Sequence, residues 1–423
     1  MDFWTTIGVI LTGLIALRFI SQLGKGLPIL ELMLFIAAAQ WIIGPLIEYN
    51  APSLHYKYFM YVDQQRYMSY VVPAFGAFAL AVLLGIRSLK DSTIPLDRLK
   101  HFKDYGVTIF LIGVFFDLIG SSLPAGLAFF AFIISNFKFA GAIILFFSDD
   151  QRLKPIFYAS LVFLLFRAIQ STMFHDFILW TAFFYMFWAL QFKPSRQKIV
   201  ATLLIGALSL TTLQTMKYAY RQQVWNGYSG SKIELFTGLV VDAILLDGAD
   251  QEQLDGELNN VRLNQGWIIS AILDEVPEKQ PFFEGETIKD AIAAAVLPRF
   301  LNPNKKTAGG QENFRKFTGL ELGEGTSMGI SIVGEAYGNF NRFGGIIFMG
   351  IWGYFLAMYW RFLFKGLQNN VLLLAFLPIV FLQVIKAETE LVVVLNHLIK
   401  ATIVVYLFFW AAKAFLNWNF KDD

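Results

Sequence analysis

Cysteine is absent from the 423-residue chain, and histidine occurs only four times. The lack of thiols excludes disulfide bonds, thiol catalysis and metal sites built from cysteine. No two of the histidines have the spacing of a metal-ligand pair. A metal site would therefore have to be built mainly from carboxylates. The histidines are His55, His101, His175 and His397.

Charged residues are also scarce, because Asp, Glu, Lys and Arg make up only 16% of the chain. Soluble domains carry about 25%. The net charge of +2 is too small to indicate a nucleic-acid partner. Phosphate-binding loops, dinucleotide fingerprints and His-Glu-x-x-His zinc motifs do not occur in the sequence. These absences argue against ATP-driven transport and zinc proteolysis.

The chain is instead rich in apolar sequence, with 56% hydrophobic and 17% aromatic residues. A helix needs roughly 20 apolar residues to cross a bilayer, and about eleven runs (roughly 10–12) meet this condition. The first run has no basic front and no cleavage site, so we predict a retained span. The sequence therefore predicts an all-α polytopic membrane protein. The predicted spans are 4–23, 29–48, 67–86, 105–121, 123–148, 155–172, 175–192, 199–216, 343–364, 371–387 and 391–412.

Lys and Arg are concentrated in three connections and are absent from two turns on the opposite side of the predicted bundle. Because positively charged loops stay in the cytoplasm, the basic connections are predicted to be cytoplasmic. The loop 49–66 is an exception to this bias, because the predicted order of spans places it on the periplasmic side although it holds Lys57 and Arg66. The basic connections are 87–104, 149–154 and 193–198, and the turns without Lys or Arg are 121–124 and 172–174.

The predicted organisation has three parts. Residues 1–216 hold spans one to eight, residues 217–342 form a large periplasmic loop, and residues 343–423 hold spans nine to eleven and a short cytoplasmic C-terminus. Apolar residues recur in the loop at intervals of three and four, which predicts a mainly helical loop. The predicted loop helices are 232–246, 259–273 and 287–297.

Ionisable side chains inside predicted spans are costly and are candidates for function. Asp117, Arg167 and His175 lie near the periplasmic ends of their spans, and Lys138 lies deeper. One interpretation is an ion pair between Asp117 and Arg167 that holds two helices together. The other is an anion-binding cavity that opens towards the large loop. Lys138 is either paired, snorkelling or part of neither arrangement.

Three cations lie close together late in the loop, at Arg299, Lys305 and Lys306. The planar guanidinium of arginine forms paired hydrogen bonds with phosphate, and lysine adds a point charge. The cluster therefore suits a diphosphate ligand. A solvated basic turn is the alternative interpretation.

The segment Gly334-Glu-Ala-Tyr-Gly-Asn-Phe340 precedes the ninth predicted span. In a helix Glu335 and Asn339 are four residues apart and share one face. A carboxylate in this position can act as a general base or orient a sugar hydroxyl. Alternatively Glu335 caps a helix, which the spacing alone favours.

The order of these features resembles the O-antigen polymerases (Wzy-like), also called oligosaccharide repeat unit polymerases, which have many spans and one large periplasmic loop late in the chain. In this sequence one position departs from the family pattern. The family often has glycine directly after the Asn-Phe pair, where Asn341 stands here. The matching segments are Asn260–Gly266, Phe283–Thr287, Leu297–Lys305 and Gly334–Phe340.

The resemblance implies a metal-independent glycosyltransferase of the bacterial inner membrane. It implies no metal ion and no cofactor, because the donor arrives already activated. The enzyme would polymerise polyprenyl-diphosphate-linked oligosaccharides into O-antigen of lipopolysaccharide, capsule or exopolysaccharide, within the membrane lipid and with a chain-length regulator as a candidate partner. The implied catalytic residues are Glu335, Arg299 and Arg262, and the implied substrate-binding residues are Lys305, Lys306, Tyr337, Asn339, Arg167 and His175.

Three alternatives remain open at this level. An O-antigen ligase uses the same donor with a different acceptor. A transporter or flippase of a lipid-linked or anionic solute would use the same charged cavity, although no repeated halves are visible. A non-catalytic assembly or sensor protein would use the loop only to bind a partner.

Overall fold

The computed structural model describes residues 2–52, 58–87, 96–245, 263–296, 310–323 and 326–420. Within these ranges the regular structure is helical, without β-strands. A π-helical turn, Ala39–Ile43, joins α2 to α3. The α-helices are α1 (Phe3–Gln22), α2 (Ile29–Ala38), α3 (Gly44–Asn50), α4 (Gln64–Gly85), α5 (Lys103–Ile119), α6 (Ala125–Ser135), α7 (Phe137–Phe147), α8 (Pro155–Ser171), α9 (His175–Phe192), α10 (Arg196–Trp225), α11 (Lys232–Leu245), α12 (Gly266–Glu275), α13 (Glu286–Val296), α14 (Gln311–Thr318), α15 (Ile332–Gly366), α16 (Leu373–Phe381) and α17 (Leu391–Phe415).

Seven of the helical stretches in the described ranges are long and apolar enough to cross a membrane. The protein is therefore a helical, membrane-embedded chain. Four further predicted spans fall on α8, α9, α10 and α16, which are shorter or less apolar, so the count of about eleven stays a prediction. The seven stretches are Phe3–Gln22, Ile29–Asn50, Gln64–Gly85, Leu96–Ser122, Gly126–Phe147, Ile332–Gly366 and Leu391–Phe415.

Helices α4 and α15 pack side by side and run in the same direction. Tyr70 contacts Gly345 near the start of the pair, and the backbone at Phe78 lies against Gly353 further along. Because a Cβ at Gly353 would overlap that backbone, glycine allows the two helices to approach closely. We call the end of the bundle at which α4 and α17 begin the loop end.

The π-helical turn is the place where the predicted loop enters the core. A π-turn leaves carbonyl groups without their usual helical partners. The Gln40 carbonyl accepts a hydrogen bond from the Gln265 N–H at 3.1 Å, and the Trp41 carbonyl accepts one from the Tyr67 hydroxyl at 2.9 Å. Helix α12 follows Gln265 directly and is buried from Gly266 to Leu273. Part of the segment predicted as a loop is thus a core element.

The predicted loop helices at 232–246 and 287–297 are confirmed as α11 and α13 up to Leu245 and Val296, beyond which both segments leave the described ranges. The predicted helix at 259–273 is present as α12 from Gly266 onward, and residues 259–262 lie outside the described ranges. A further loop helix, α14, was not predicted. It is only eight residues long, too short for its apolar periodicity to stand out.

Candidate functional site

Helix α15 consists of two helical segments separated at Asn341. The backbone of Asn341 has φ 60° and ψ −170°, a region that only glycine enters without strain. The Asn341 side chain accepts hydrogen bonds from the N–H groups of Phe343 and Gly344, at 3.0 and 3.3 Å, and so caps the second segment. The backbone at Asn341 is therefore of the kind that favours glycine.

The first segment of α15, from Ile332 to Phe340, carries the predicted Glu335, Tyr337 and Asn339. At its other end Ser331 also has a positive φ, of 60°. Non-glycine residues with such backbones are uncommon, and they occur frequently at functional sites. The short helix is thus held between two strained positions, which makes it the strongest structural candidate for a functional element.

The carboxylate of Glu335 is buried at the centre of this element, with 1% of the residue exposed. Oε1 accepts a hydrogen bond from the Thr287 hydroxyl at 2.8 Å, and Oε2 accepts one from the Leu391 N–H at 2.8 Å. Thr287 lies in the first turn of α13, and Leu391 is the first residue of α17. Helix N-termini stabilise negative charge, so Glu335 caps a neighbouring helix and not its own.

Asn339 extends this network. Its Nδ2 donates to the Thr287 hydroxyl and to the Glu335 carbonyl, each at 2.8 Å. Its Oδ1 is buried and has no hydrogen-bond partner among the described groups. Glu335 and Asn339 do share one face, as predicted. Thr287, which connects them, was missed as a site residue, although it closes one of the matching segments.

A second buried carboxylate, Glu390, lies within electrostatic range of Glu335. It is 1% exposed and accepts a hydrogen bond from Asn313 Nδ2 at 3.2 Å. Asn313 belongs to α14, so this contact ties a second loop helix to the start of α17. Two loop helices, α13 and α14, therefore meet the start of α17 beside the Glu335 segment.

Tyr337 lies in the same element, packed among aromatic rings, with 9% of the residue exposed. Its ring packs against Tyr70 at a centroid distance of 5.0 Å and against Phe282 at 5.9 Å. Its hydroxyl interacts with the Arg66 guanidinium, and Arg342 is within electrostatic range. Neither arginine was predicted as a site residue, because each stands alone in the sequence and no local cluster marks it.

The charged residues inside the predicted spans form a separate cluster. Lys138 Nζ lies 3.1 Å from Asp117 Oδ1 and donates to the Ser135 carbonyl at 3.0 Å. Arg167 Nη1 lies 3.6 Å from Asp117 Oδ2, and its side chain is 59% exposed. Asp117 therefore forms an ion pair with Arg167, as the first interpretation holds, but buried Lys138 is its nearer partner. Among the described contacts, none joins Arg167 to the Glu335 network.

His175 is exposed at the first position of α9. The next residue, Asp176, pairs with Lys386 at 3.6 Å, which connects α9 to the chain before α17. The predicted catalytic residues Arg262 and Arg299 and the predicted substrate-binding residues Lys305 and Lys306 lie outside the described residues.

Comparison with known proteins identifies the family of the chain. A family model, described as a domain of unknown function (DUF8712), matches residues 51–315, which is more than half of the chain. The protein therefore belongs to this family. No curated protein and no solved structure matches the chain.

Proposed function

We propose that this member of the DUF8712 family is a glycosyltransferase of the bacterial inner membrane. It joins polyprenyl-diphosphate-linked oligosaccharide repeat units into a surface polysaccharide, with the large loop in the periplasm. The observation that supports the proposal best is the Glu335 network. It brings two predicted site residues together where the loop helix α13 meets the span α17, bonded to each other through Thr287.

The proposed chemistry needs few groups, because the sugar donor arrives already activated by its diphosphate. The protein has to position donor and acceptor, stabilise the leaving diphosphate and accept a proton from the attacking hydroxyl. In the proposal, Arg262, Arg299, Lys305 and Lys306 stabilise the diphosphate. The buried Oδ1 of Asn339 lacks a donor, and a sugar hydroxyl would supply one.

Two roles for Glu335 follow from its geometry. Each oxygen accepts one hydrogen bond and keeps a free lone pair, but the residue is only 1% exposed, so a role as general base requires a movement that admits the acceptor hydroxyl. Without such movement, Glu335 is a positioning residue that holds the helix of Tyr337 and Asn339 in place. Glu335→Gln separates the two roles, since the amide keeps the size of the side chain and loses its basicity.

The experiment measures the length distribution of surface polysaccharide in cells with wild-type protein, a deletion, Arg299→Ala or Glu335→Gln. We expect a ladder in the wild type and single repeat units in the deletion and in Arg299→Ala at equal expression. Arg315→Ala is the matched control, because Arg315 is an exposed arginine of the same loop. An unchanged ladder in the deletion overturns the polymerase assignment. Polymer that accumulates on the lipid carrier and is not transferred to its acceptor indicates a ligase.

Transport of a lipid-linked or anionic solute is the second candidate, and the Asp117 cluster is the observation that favours it. Ionisable groups within spans commonly line a solute or proton path. A transporter predicts that the deletion abolishes even single repeat units at the surface. It also predicts that Asp117→Asn has the same effect as the deletion while Arg299→Ala has none.

A further inference from the structure

Two arginines that are distant in sequence come together at the loop end of the bundle. Arg66 lies in the first turn of α4, and Arg342 lies directly after the break in α15. Arg342 Nη2 donates to the Ser69 carbonyl at 2.9 Å, one helical turn beyond Arg66 on α4. Because α4 and α15 run in parallel, both guanidinium groups lie at the same end of the pair.

The hydrogen bonds of both arginines leave donors available at the surface. Arg66 Nη2 donates to the Leu273 carbonyl at 2.6 Å and to Glu278 Oε1 at 3.2 Å. In this pair the Arg66 side chain is 37% exposed and that of Glu278 is 61% exposed. Exposed ion pairs contribute little to stability, so an incoming anion can replace Glu278. No carboxylate among the described residues pairs with Arg342, whose guanidinium has five N–H donors.

The neighbouring charges leave the two arginines as the main cations of this surface. Lys279 is held by Asp274 and Glu275, and hydrogen bonds to these carboxylates raise the pKa of its ammonium group. Asp63 is occupied as the N-cap of α4, where it accepts a hydrogen bond from the Arg66 N–H at 2.9 Å. The Tyr337 hydroxyl, next to Arg66, adds a neutral donor.

An exposed apolar stripe continues from this cationic patch along α15. Phe343, Ile347 and Ile351 are spaced four residues apart on one helical face, and their exposed fractions are 75%, 64% and 62%. A cationic patch at the head of such a stripe is complementary to an amphiphile with an anionic head and a hydrocarbon chain. Paired arginine donors fit the oxygens of phosphate groups in particular.

We propose that Arg66, Arg342 and Tyr337 bind the diphosphate headgroup of a polyprenyl lipid, whose hydrocarbon chain lies along Phe343, Ile347 and Ile351. The identity of this lipid rests on the proposed function, whereas the binding of a lipid phosphate does not. Polymerisation brings together two lipid diphosphates, one on the donor and one on the acceptor. The patch supplies a diphosphate site in addition to the one predicted around Arg299.

The test measures binding of farnesyl diphosphate to the full-length protein in phosphatidylcholine nanodiscs, by calorimetry. We expect Arg66→Gln and Arg342→Gln each to weaken binding by about tenfold or more, since each removes a charge-assisted contact. Glu278→Gln should strengthen binding, because it removes the competing carboxylate. Arg361→Gln, a matched charge change further along the same helix, should leave binding unchanged.

Competing ligands identify the chemistry that is recognised. Farnesol should not bind, and inorganic diphosphate should compete weakly because it lacks the chain. If phosphatidylglycerol in the nanodisc abolishes the binding of farnesyl diphosphate, the site is a general anionic-lipid site and the diphosphate assignment is overturned. Wild-type affinity in both arginine variants overturns the site itself. If a glutamine variant fails to fold, Arg66→Lys or Arg342→Lys takes its place and should also weaken binding, because lysine keeps the charge but lacks the paired donors of arginine.

The outcome is separable from that of the proposed function. Weaker binding in Arg342→Gln together with an unchanged polysaccharide ladder in the deletion strain keeps the site and overturns the polymerase. A lost ladder in the deletion strain together with wild-type affinity in Arg342→Gln keeps the polymerase and overturns the site.

Discussion

The Glu335 carboxylate accepts a hydrogen bond from the Leu391 N–H at 2.8 Å, across 56 residues of sequence. This bond fixes the short first segment of α15 to the beginning of α17. Both groups are buried, so water cannot replace either partner when the other is removed. The bond therefore makes Glu335 a structural residue whatever its chemical role, and mutational data on it need a stability control.

Replacement of Glu335 by alanine should destabilise the protein substantially. The change leaves the Leu391 N–H and the Thr287 hydroxyl without their acceptor, at a cost of about 1–3 kcal/mol for each buried group. Glu335→Gln should cost less, because the amide oxygen still accepts one of the two bonds. Thermal unfolding in detergent checks this order, with Glu312→Ala on the exposed surface of α14 as control. Equal unfolding temperatures for Glu335→Ala and the control would contradict the assignment.

Asn341 should tolerate glycine better than alanine. Glycine adopts the observed backbone without strain and loses only the side-chain cap, which contributes about 1 kcal/mol. Alanine loses the cap and keeps a backbone strain of about 1–3 kcal/mol. The unfolding temperature of Asn341→Gly should lie above that of Asn341→Ala. The reverse order would show that α15 is not broken at this position.

Gly113 should not tolerate even a methyl group. A Cβ at this position would overlap the backbone of Lys138, because α5 and α7 are in close contact there. Overpacking of this kind costs about 1–3 kcal/mol. The matched control is Gly206→Ala in α10, where an added Cβ meets no atom within 4 Å. Comparison of the two unfolding temperatures tests the packing, and equal values would mean that the helices are not in contact.

Asp117→Asn should destabilise the protein more than the simultaneous removal of both charges, of Asp117 and of Lys138. The single change leaves buried Lys138 without its counter-charge, which typically costs about 3–5 kcal/mol for a buried pair. Asp117→Asn with Lys138→Met removes both charges and should recover part of the loss. Unfolding temperatures of the two single variants and the double variant complete the cycle. Additive effects would show that the two residues do not interact.

The helical, membrane-embedded character of the protein follows from the sequence alone, because apolar runs and helical periodicity are local properties of the chain. The loop helices α11 and α13 are predictable for the same reason, as is the shared face of Glu335 and Asn339. The number of spans is harder to predict, since α8, α9, α10 and α16 are close to the limits of length and apolarity.

Only the tertiary structure decides which distant groups meet. Thr287 and Leu391 reach Glu335 across 48 and 56 residues, and Arg342 reaches Ser69 across 273. Contacts over such distances leave no periodic pattern in the sequence, so they cannot be predicted from it. The burial of α12 is likewise a tertiary effect. The helix itself is predictable, but the Gln40 carbonyl at the π-helical turn and the space at Gly44 are what bring this segment of the predicted loop into the core. The break at Asn341 appears only in the backbone, since asparagine is compatible with an unbroken helix.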